Sequence, residues 1–119
     1  MEHTKAYVDL VNDARSRIRE VSVDEAQQRM NEGAHLVDVR EDNEWNASHA
    51  KGASHLGRGI IERDIEATFP DRKAELILYC GGGYRSALAA DNLQLMGYSN
   101  VYSMAGGWTA WNEAGGPTE

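Results

Sequence analysis

The stretch Leu76-Ile77-Leu78-Tyr79-Cys80-Gly81-Gly82-Gly83-Tyr84-Arg85-Ser86 decides how this chain is read. An apolar run ends at the only cysteine, three glycines follow, and an arginine leads into an alanine-rich, helix-compatible segment. A short apolar run bounded by glycines is the pattern of a buried strand. The thiol is therefore expected where that strand ends, in a loop at the N-terminus of a helix.

Consecutive glycines leave no Cβ between the thiol and Tyr84, which permits positive φ and lets backbone N–H groups turn inward together. The following helix adds its unpaired N–H groups and the positive end of its dipole. Arg85 adds a permanent cation. Such surroundings favour thiolate over thiol and make Cys80 a candidate nucleophile. The same N–H groups of Gly81, Gly82, Gly83, Tyr84 and Arg85 would hold a sulfur anion or an oxyanion on a substrate. The plainer alternative is a flexible strand–helix turn around an inert, buried cysteine. A dinucleotide loop is a poor fit, because G-x-G-x-x-G is absent after the strand, and a phosphate loop is excluded by the lack of Gly-Lys-Ser/Thr.

Working outward, residues 4 to about 19 place Tyr7, Leu10, Val11, Ala14 and Ile18 on one helical stripe. This N-terminal amphipathic helix, residues 1–19, is expected to pack on or beside a domain of residues 20–119; the alternative is a dimerisation or partner-docking element. Ser22-Val23-Asp24-Glu25 matches a capping box for a helix running to about 31, burying Ala26 and Met30 and ending at Gly33. Residues 35–40 read as a strand whose Asp38 needs partners such as Arg40 or nearby backbone. A short helix over 41–47 is expected to turn Trp45 inward. A strand follows at 53–56, then a turn at Gly57-Arg58-Gly59 and a helix ending before Pro70. A helix over 86–96, a strand over 101–104 and a short terminal helix opened by Gly106-Gly107 complete the chain. Alternating strands and helices indicate an α/β fold, a small parallel sheet flanked by helices on both faces. Ligands of such sheets bind at the carboxyl ends of strands, where Cys80 falls.

Composition narrows the function classes. The 119 residues suffice for one core, and 41% hydrophobic with 26% charged residues is an ordinary globular balance. A net charge of -7 argues against nucleic acid, and no apolar stretch approaches the roughly 20 residues that span a bilayer, so neither partner is expected. Met1-Glu2-His3-Thr4-Lys5 has no cationic segment leading into an apolar core, so the cytoplasm is the expected compartment. One cysteine forms no internal disulfide, and with four scattered histidines it makes no zinc pattern, so no metal is expected.

Four pieces, in order, resemble the rhodanese, or sulfurtransferase, family over residues 20–117. They are Leu36-Val37-Asp38-Val39-Arg40 with Glu44-Trp45; His49-Ala50-Lys51-Gly52-Ala53; Cys80-Gly81-Gly82-Gly83-Tyr84-Arg85-Ser86; and Gly106-Gly107-Trp108-Thr109-Ala110-Trp111. The resemblance implies a sheet of about five strands and a cysteine that takes a sulfane sulfur as a persulfide and passes it on. It implies Cys80 as nucleophile, the loop from Gly81 to Arg85 as cradle, and no metal or organic cofactor. The donor would be thiosulfate or another persulfide, and the acceptor cyanide in an assay or a thiol such as glutathione or a thioredoxin-like protein in the cell. Arg85 is a candidate either for the substrate anion or for bracing the loop against Asp38 or Glu44. Arg58 is a second anion candidate and Lys51 a weaker one, while His49 reads as structural and Trp108 and Trp111 as core or pocket wall. Departures are Ala50, where a β-branched residue is usual, and Gly57, where proline is usual. Phosphatases and arsenate reductases on related folds resemble C-x5-R; this chain has the shorter C-x4-R, which suits a single sulfur. They remain the alternative, with a non-catalytic redox-sensing or binding module beside them. A homodimer is compatible with the sequence.

Overall fold

The computed structural model describes residues 2–119. Leu76–Tyr79 (β4) forms the centre of a five-stranded, wholly parallel sheet. Its neighbours are His35–Asp38 (β2) and Val101–Met104 (β5); Ser54–His55 (β3) and Arg19–Val21 (β1) form the edges, giving the order β1-β5-β4-β2-β3. A central parallel strand is covered on both faces, which is why β4 reads as unbroken apolar sequence. Its side chains alternate between two cores. Leu76, Leu78 and Cys80 face Ile61–Thr68 (α4) and Tyr84–Leu95 (α5), packing with Ile61, Ile65, Ala89 and Leu93. Ile77 and Tyr79 face Val23–Asn31 (α2) and Gly107–Glu113 (α6), packing with Ala26, Leu36, Met104 and Trp111. Buried alanines on α5 carry short side chains, so that helix lies close to the sheet.

Ser22 caps α2 as its sequence implies, accepting the Glu25 N–H at 3.1 Å. Ala26 is buried and Met30 half-buried beneath it. The short helix Asp42–Ala47 (α3) leaves Trp45 half-buried rather than in the core, stacked on the rings of His49 and His55.

The N-terminal helix Lys5–Arg15 (α1) is shorter than the stripe to about 19 predicts. It ends at Ser16, and after a turn through residues 17–18 the chain enters β1, paired with β5 through Arg19↔Tyr102 and Val21↔Met104. Only Val21 of that edge strand is buried, so the segment carries no apolar signal. Val11 and Ala14 are buried, whereas Leu10 is 55% exposed, a correction to the expected stripe. The helix is seated along α5: Arg17 pairs with Asp91 at 2.7 Å and Gln94 donates to the Arg17 carbonyl at 3.0 Å. Elsewhere β2 stops at Asp38, and α5 opens at Tyr84 because Gly83, at φ 97°, makes the turn into it.

Asp38 is fully buried and Arg40 is 3% exposed. The carboxylate takes the Arg40 backbone N–H at 2.8 Å and its guanidinium at 2.8 and 3.1 Å, and Arg40 also donates to the Ser48 carbonyl at 2.7 Å. The guanidinium lies 4.5 Å from the centre of the Trp108 ring. Burial works against the charge on Arg40, and the bond to Asp38 more than restores it, raising its pKa. Asp38→Ala leaves this guanidinium unpaired, and denaturant unfolding should show a loss of about 3–5 kcal/mol. A loss below about 1 kcal/mol, the size typical of an exposed pair, would show that the pair does not hold the β2 end in place.

Candidate active site

Cys80 stands where β4 gives way to the glycine loop, and it is 1% exposed. The Gly83 N–H donates to its Sγ at 3.1 Å. On the other side Ser86 Oγ lies 3.5 Å from the sulfur and 2.8 Å from Ser103 Oγ on β5, and both serines are buried. The two hydroxyls form a short chain that ends on the sulfur.

Helix α6 fixes the orientation of the loop. Trp108 N–H donates to the Cys80 carbonyl at 2.7 Å, and Thr109 gives both its N–H and its hydroxyl to the Gly81 carbonyl at 3.2 Å. With these carbonyls turned to α6, the N–H groups of Gly81, Gly82, Tyr84 and Arg85 have no protein acceptor among the described residues. They are the free donors of a helix N-terminus. The approach depends on Gly107, at φ 50°, where a Cβ would overlap the Cys80 carbonyl oxygen. Ser86, Ser103 and Gly107 thus belong to the site, although sequence reasoning gave them no role in it. The Gly106-Gly107 pair was a usable signal; Ser103 had none.

Arg85 reaches across Gly81 to α3, donating to Glu44 through Nη1 at 2.8 Å and Nη2 at 3.3 Å. This fork holds the Glu44 carboxyl below the usual carboxylate range and raises the Arg85 pKa. A Cβ on Gly81 would lie 3.1 Å from Arg85 Nη2. Arg58 is half-buried, with its N–H on the Val39 carbonyl at 2.9 Å and Nη1 on Glu62 at 2.7 Å. Asn92 donates to the same Glu62 oxygen at 2.8 Å. Burial pushes the Glu62 carboxyl up, and the bonds from Asn92 and Arg58 outweigh it and hold the carboxyl low. Lys51 is exposed, at a cavity of about 250 Å³ that it lines with Met30, Trp111 and Pro117. His49 engages Trp45 and Glu119, with Nδ1 at 3.0 Å from the Trp45 carbonyl oxygen. Trp111 is buried and Trp108 half-buried, both in the α2/α6 core. Among the described residues no group of three or more His, Cys, Asp or Glu side chains is placed to hold a metal.

The rhodanese-like domain family matches residues 22–114. The thiosulfate sulfurtransferase GlpE of Haemophilus influenzae is 35% identical over 97 residues, 81% of this chain and 90% of the relative. That of Vibrio cholerae is 35% identical over 100 residues, 83% and 92% of the respective lengths. Among solved structures, RPA3614 of Rhodopseudomonas palustris, a protein of unknown function described as a possible tyrosine phosphatase, superposes with a TM-score of 0.88. It is 30% identical and covers 100% of this chain and 98% of its own. The polysulfide-sulfur transferase homodimer of Wolinella succinogenes shares the fold at a TM-score of 0.80 and 23% identity, with 96% and 87% coverage.

The Glu44–Arg85 fork sets a pH dependence. Glu44 has a folded pKa below its ordinary 4.5, so its contribution is fully present above that value and is lost as pH falls through the folded one. Glu44→Gln should therefore be less stable than wild type at neutral pH, with the gap closing below about pH 4.5. Urea unfolding at several pH values measures it, and a gap unchanged down to about pH 3 would show that the fork does not carry the effect.

Proposed function

The chain belongs to the rhodanese family, and from that premise we propose that it is a sulfurtransferase carrying a sulfane sulfur on Cys80. The observation that supports this most is the loop itself, in which Gly83 N–H meets Sγ at 3.1 Å and the neighbouring N–H groups are free. The cradle holds one added sulfur atom by backbone donors, without a metal or an organic cofactor.

The reaction is a double displacement. The Cys80 thiolate attacks the outer sulfur of thiosulfate, the S–S bond breaks, and sulfite leaves with its electron pair. Cys80 keeps the outer sulfur as a persulfide anion, which the free N–H groups stabilise where its charge resides. Cyanide in an assay, or a thiol such as glutathione or a thioredoxin-like protein in a cytoplasmic setting, then attacks the terminal sulfur and the Cys80 thiolate departs. The Ser86–Ser103 chain donates to that departing thiolate. His49 takes no part, because its ring is committed to Trp45 and Glu119. Gly81, Gly82, Gly83, Tyr84 and Arg85 frame the sulfur. Arg85 acts by bracing the loop against Glu44.

The description of the Rhodopseudomonas relative favours a second reading, phosphate-ester hydrolysis through the same cysteine. Two features of this chain oppose it. The loop from Cys80 to Arg85 is the shorter C-x4-R, and both Arg85 Nη atoms already lie on Glu44. Thiosulfate should add one sulfur to the wild-type protein, seen by intact mass and mapped to Cys80, and none to folded Cys80→Ala. Thiocyanate formation from thiosulfate and cyanide should exceed turnover of p-nitrophenyl phosphate. A folded protein that takes up no sulfur, or that hydrolyses the phosphate ester faster, would overturn the proposal.

A further inference from the structure

Helix α1 brings to the Cys80 loop a side chain that its packing explains only in part. Tyr7 is half-buried, with its ring stacked on Tyr84 at 5.8 Å between centroids and 24° between planes. Tyr84 follows the left-handed Gly83 and precedes Arg85, so Tyr7 rests on the cradle itself. His3 packs against both rings, at 5.2 Å from Tyr7 and 4.3 Å from Tyr84. Arg15 stands 5.0 Å from the Tyr84 ring and donates to the Gly83 carbonyl at 3.4 Å. Val11 and Ala14 are buried and anchor the C-terminal half of α1. The ring of Tyr7 is thus placed by stacking, while its hydroxyl bonds to no group among the described residues. The Tyr84 ring beneath it belongs to the residue that follows Gly83 in the loop, so the phenol is carried on the cradle. Burial first, and Cys80 next, raise the pKa of that phenol.

The charges around the loop supply a second, independent observation. Arg85 is paired with Glu44 at 2.8 Å, Arg58 with Glu62 at 2.7 Å and Arg15 with Glu20 at 3.5 Å. Among the described residues the arginine and lysines in no ion pair are Arg19, Lys51 and Lys73. Arg19 donates to the Ser99 carbonyl, ahead of β5, and Lys73 precedes β4, so both lie toward the amino ends of the strands, opposite Cys80. Lys51 lines the cavity beside Trp111. A dianion therefore meets no uncompensated cation at the loop, in a chain of net charge -7. A donor with one charge on its terminal sulfur needs only hydrogen bonds there, and an organic tail gains from aromatic faces.

We propose that Tyr7 is a donor-binding residue of the Cys80 site, its phenol O–H bonding the sulfur that is transferred. Its ring, with that of Tyr84, forms an aromatic seat for the organic part of a singly charged sulfur donor such as an organic thiosulfonate or hydropersulfide. The inference rests on the sulfurtransferase reading above. With a thiosulfonate the Cys80 thiolate attacks the terminal sulfur, the S–S bond breaks, the sulfinate leaves with the electron pair, and Cys80 keeps the sulfur as a persulfide.

The test compares wild type, Tyr7→Phe and Tyr7→Ala, each checked by thermal melting, with thiosulfate and with benzenethiosulfonate, cyanide being the acceptor. Tyr7→Phe keeps the stacked ring and should lower kcat/KM about tenfold with both donors, the effect of one hydrogen bond to a charged group. Tyr7→Ala should lose several-fold more with benzenethiosulfonate and no more with thiosulfate. A folded Tyr7→Phe equal to wild type with both donors would reduce Tyr7 to packing. Equal losses for the two variants with benzenethiosulfonate would overturn the aromatic seat. If wild-type Cys80 acquired sulfur from neither donor, the sulfurtransferase reading would fall, and the role of Tyr7 with it; normal sulfur loading with an unaltered Tyr7→Phe would remove the Tyr7 role alone.

Discussion

The site depends on the contact between the N-terminus of α6 and the first two carbonyls of the loop. A peptide unit presents a donor at one end and an acceptor at the other, so a short loop can surround an anion with N–H groups only if something else takes its carbonyls. Trp108 and Thr109 take those of Cys80 and Gly81. The contact needs a residue without a Cβ at Gly107, and it needs α6 to stay in place. Trp111 secures the helix: it is buried among Ala26, Leu36 and Tyr79, and its indole N–H donates to the Pro117 carbonyl at 2.9 Å. The tail then bonds to His49 through Glu119 backbone N–H and carbonyl, at 2.8 and 3.0 Å. The cradle at the end of β4 is therefore shaped by residues far along the chain from it.

Helix α1 lies outside the 22–114 span matched by the family, yet it touches the loop through Tyr84 and Gly83. The GlpE relatives align with 81–83% of this chain, whereas the Rhodopseudomonas structure spans all of it. The span shared with the family builds the Cys80 loop, and the added helix builds one wall beside it. Because α1 is held by buried Val11 and Ala14 and by the Arg17–Asp91 pair, that wall has a defined position.

Much of this was legible in the sequence, for a physical reason. Parallel strands with two covered faces must be apolar throughout, so Leu76–Tyr79 stood out with both its boundaries, and Val101–Met104 also fell where expected. The capping chemistry at Ser22 and the need of Asp38 for partners were readable because each is settled within a few residues. β1 was not, since an edge strand with one buried residue in three resembles a polar linker. Nor was the Ser86–Ser103 pair, because a serine within an apolar strand gives no hint of the hydroxyl it meets. For Arg85 the sequence left Asp38 and Glu44 as partners; Arg40 occupies Asp38, and Glu44 receives the fork. Tyr7 had the spacing of a core residue, and its stacking on Tyr84 of the Cys80 loop arises only from how α1 packs against α5.

The fork also bears on which anion the loop is built to receive. A loop that binds phosphate uses its arginine as a bidentate clamp on two oxygens, and the same two Nη atoms here lie on the carboxylate of Glu44. Freeing them would leave Glu44 without its main counter-charge and unhook α3 from the start of α5. A sulfur atom makes no such demand. On the proposed reading it needs only nearby donors, for which the Gly83 N–H at 3.1 Å from Sγ and its unpaired neighbours are available. Arg85 is built into the wall of the loop by Glu44, while the N–H groups of Gly81, Gly82, Tyr84 and Arg85 keep no protein acceptor among the described residues.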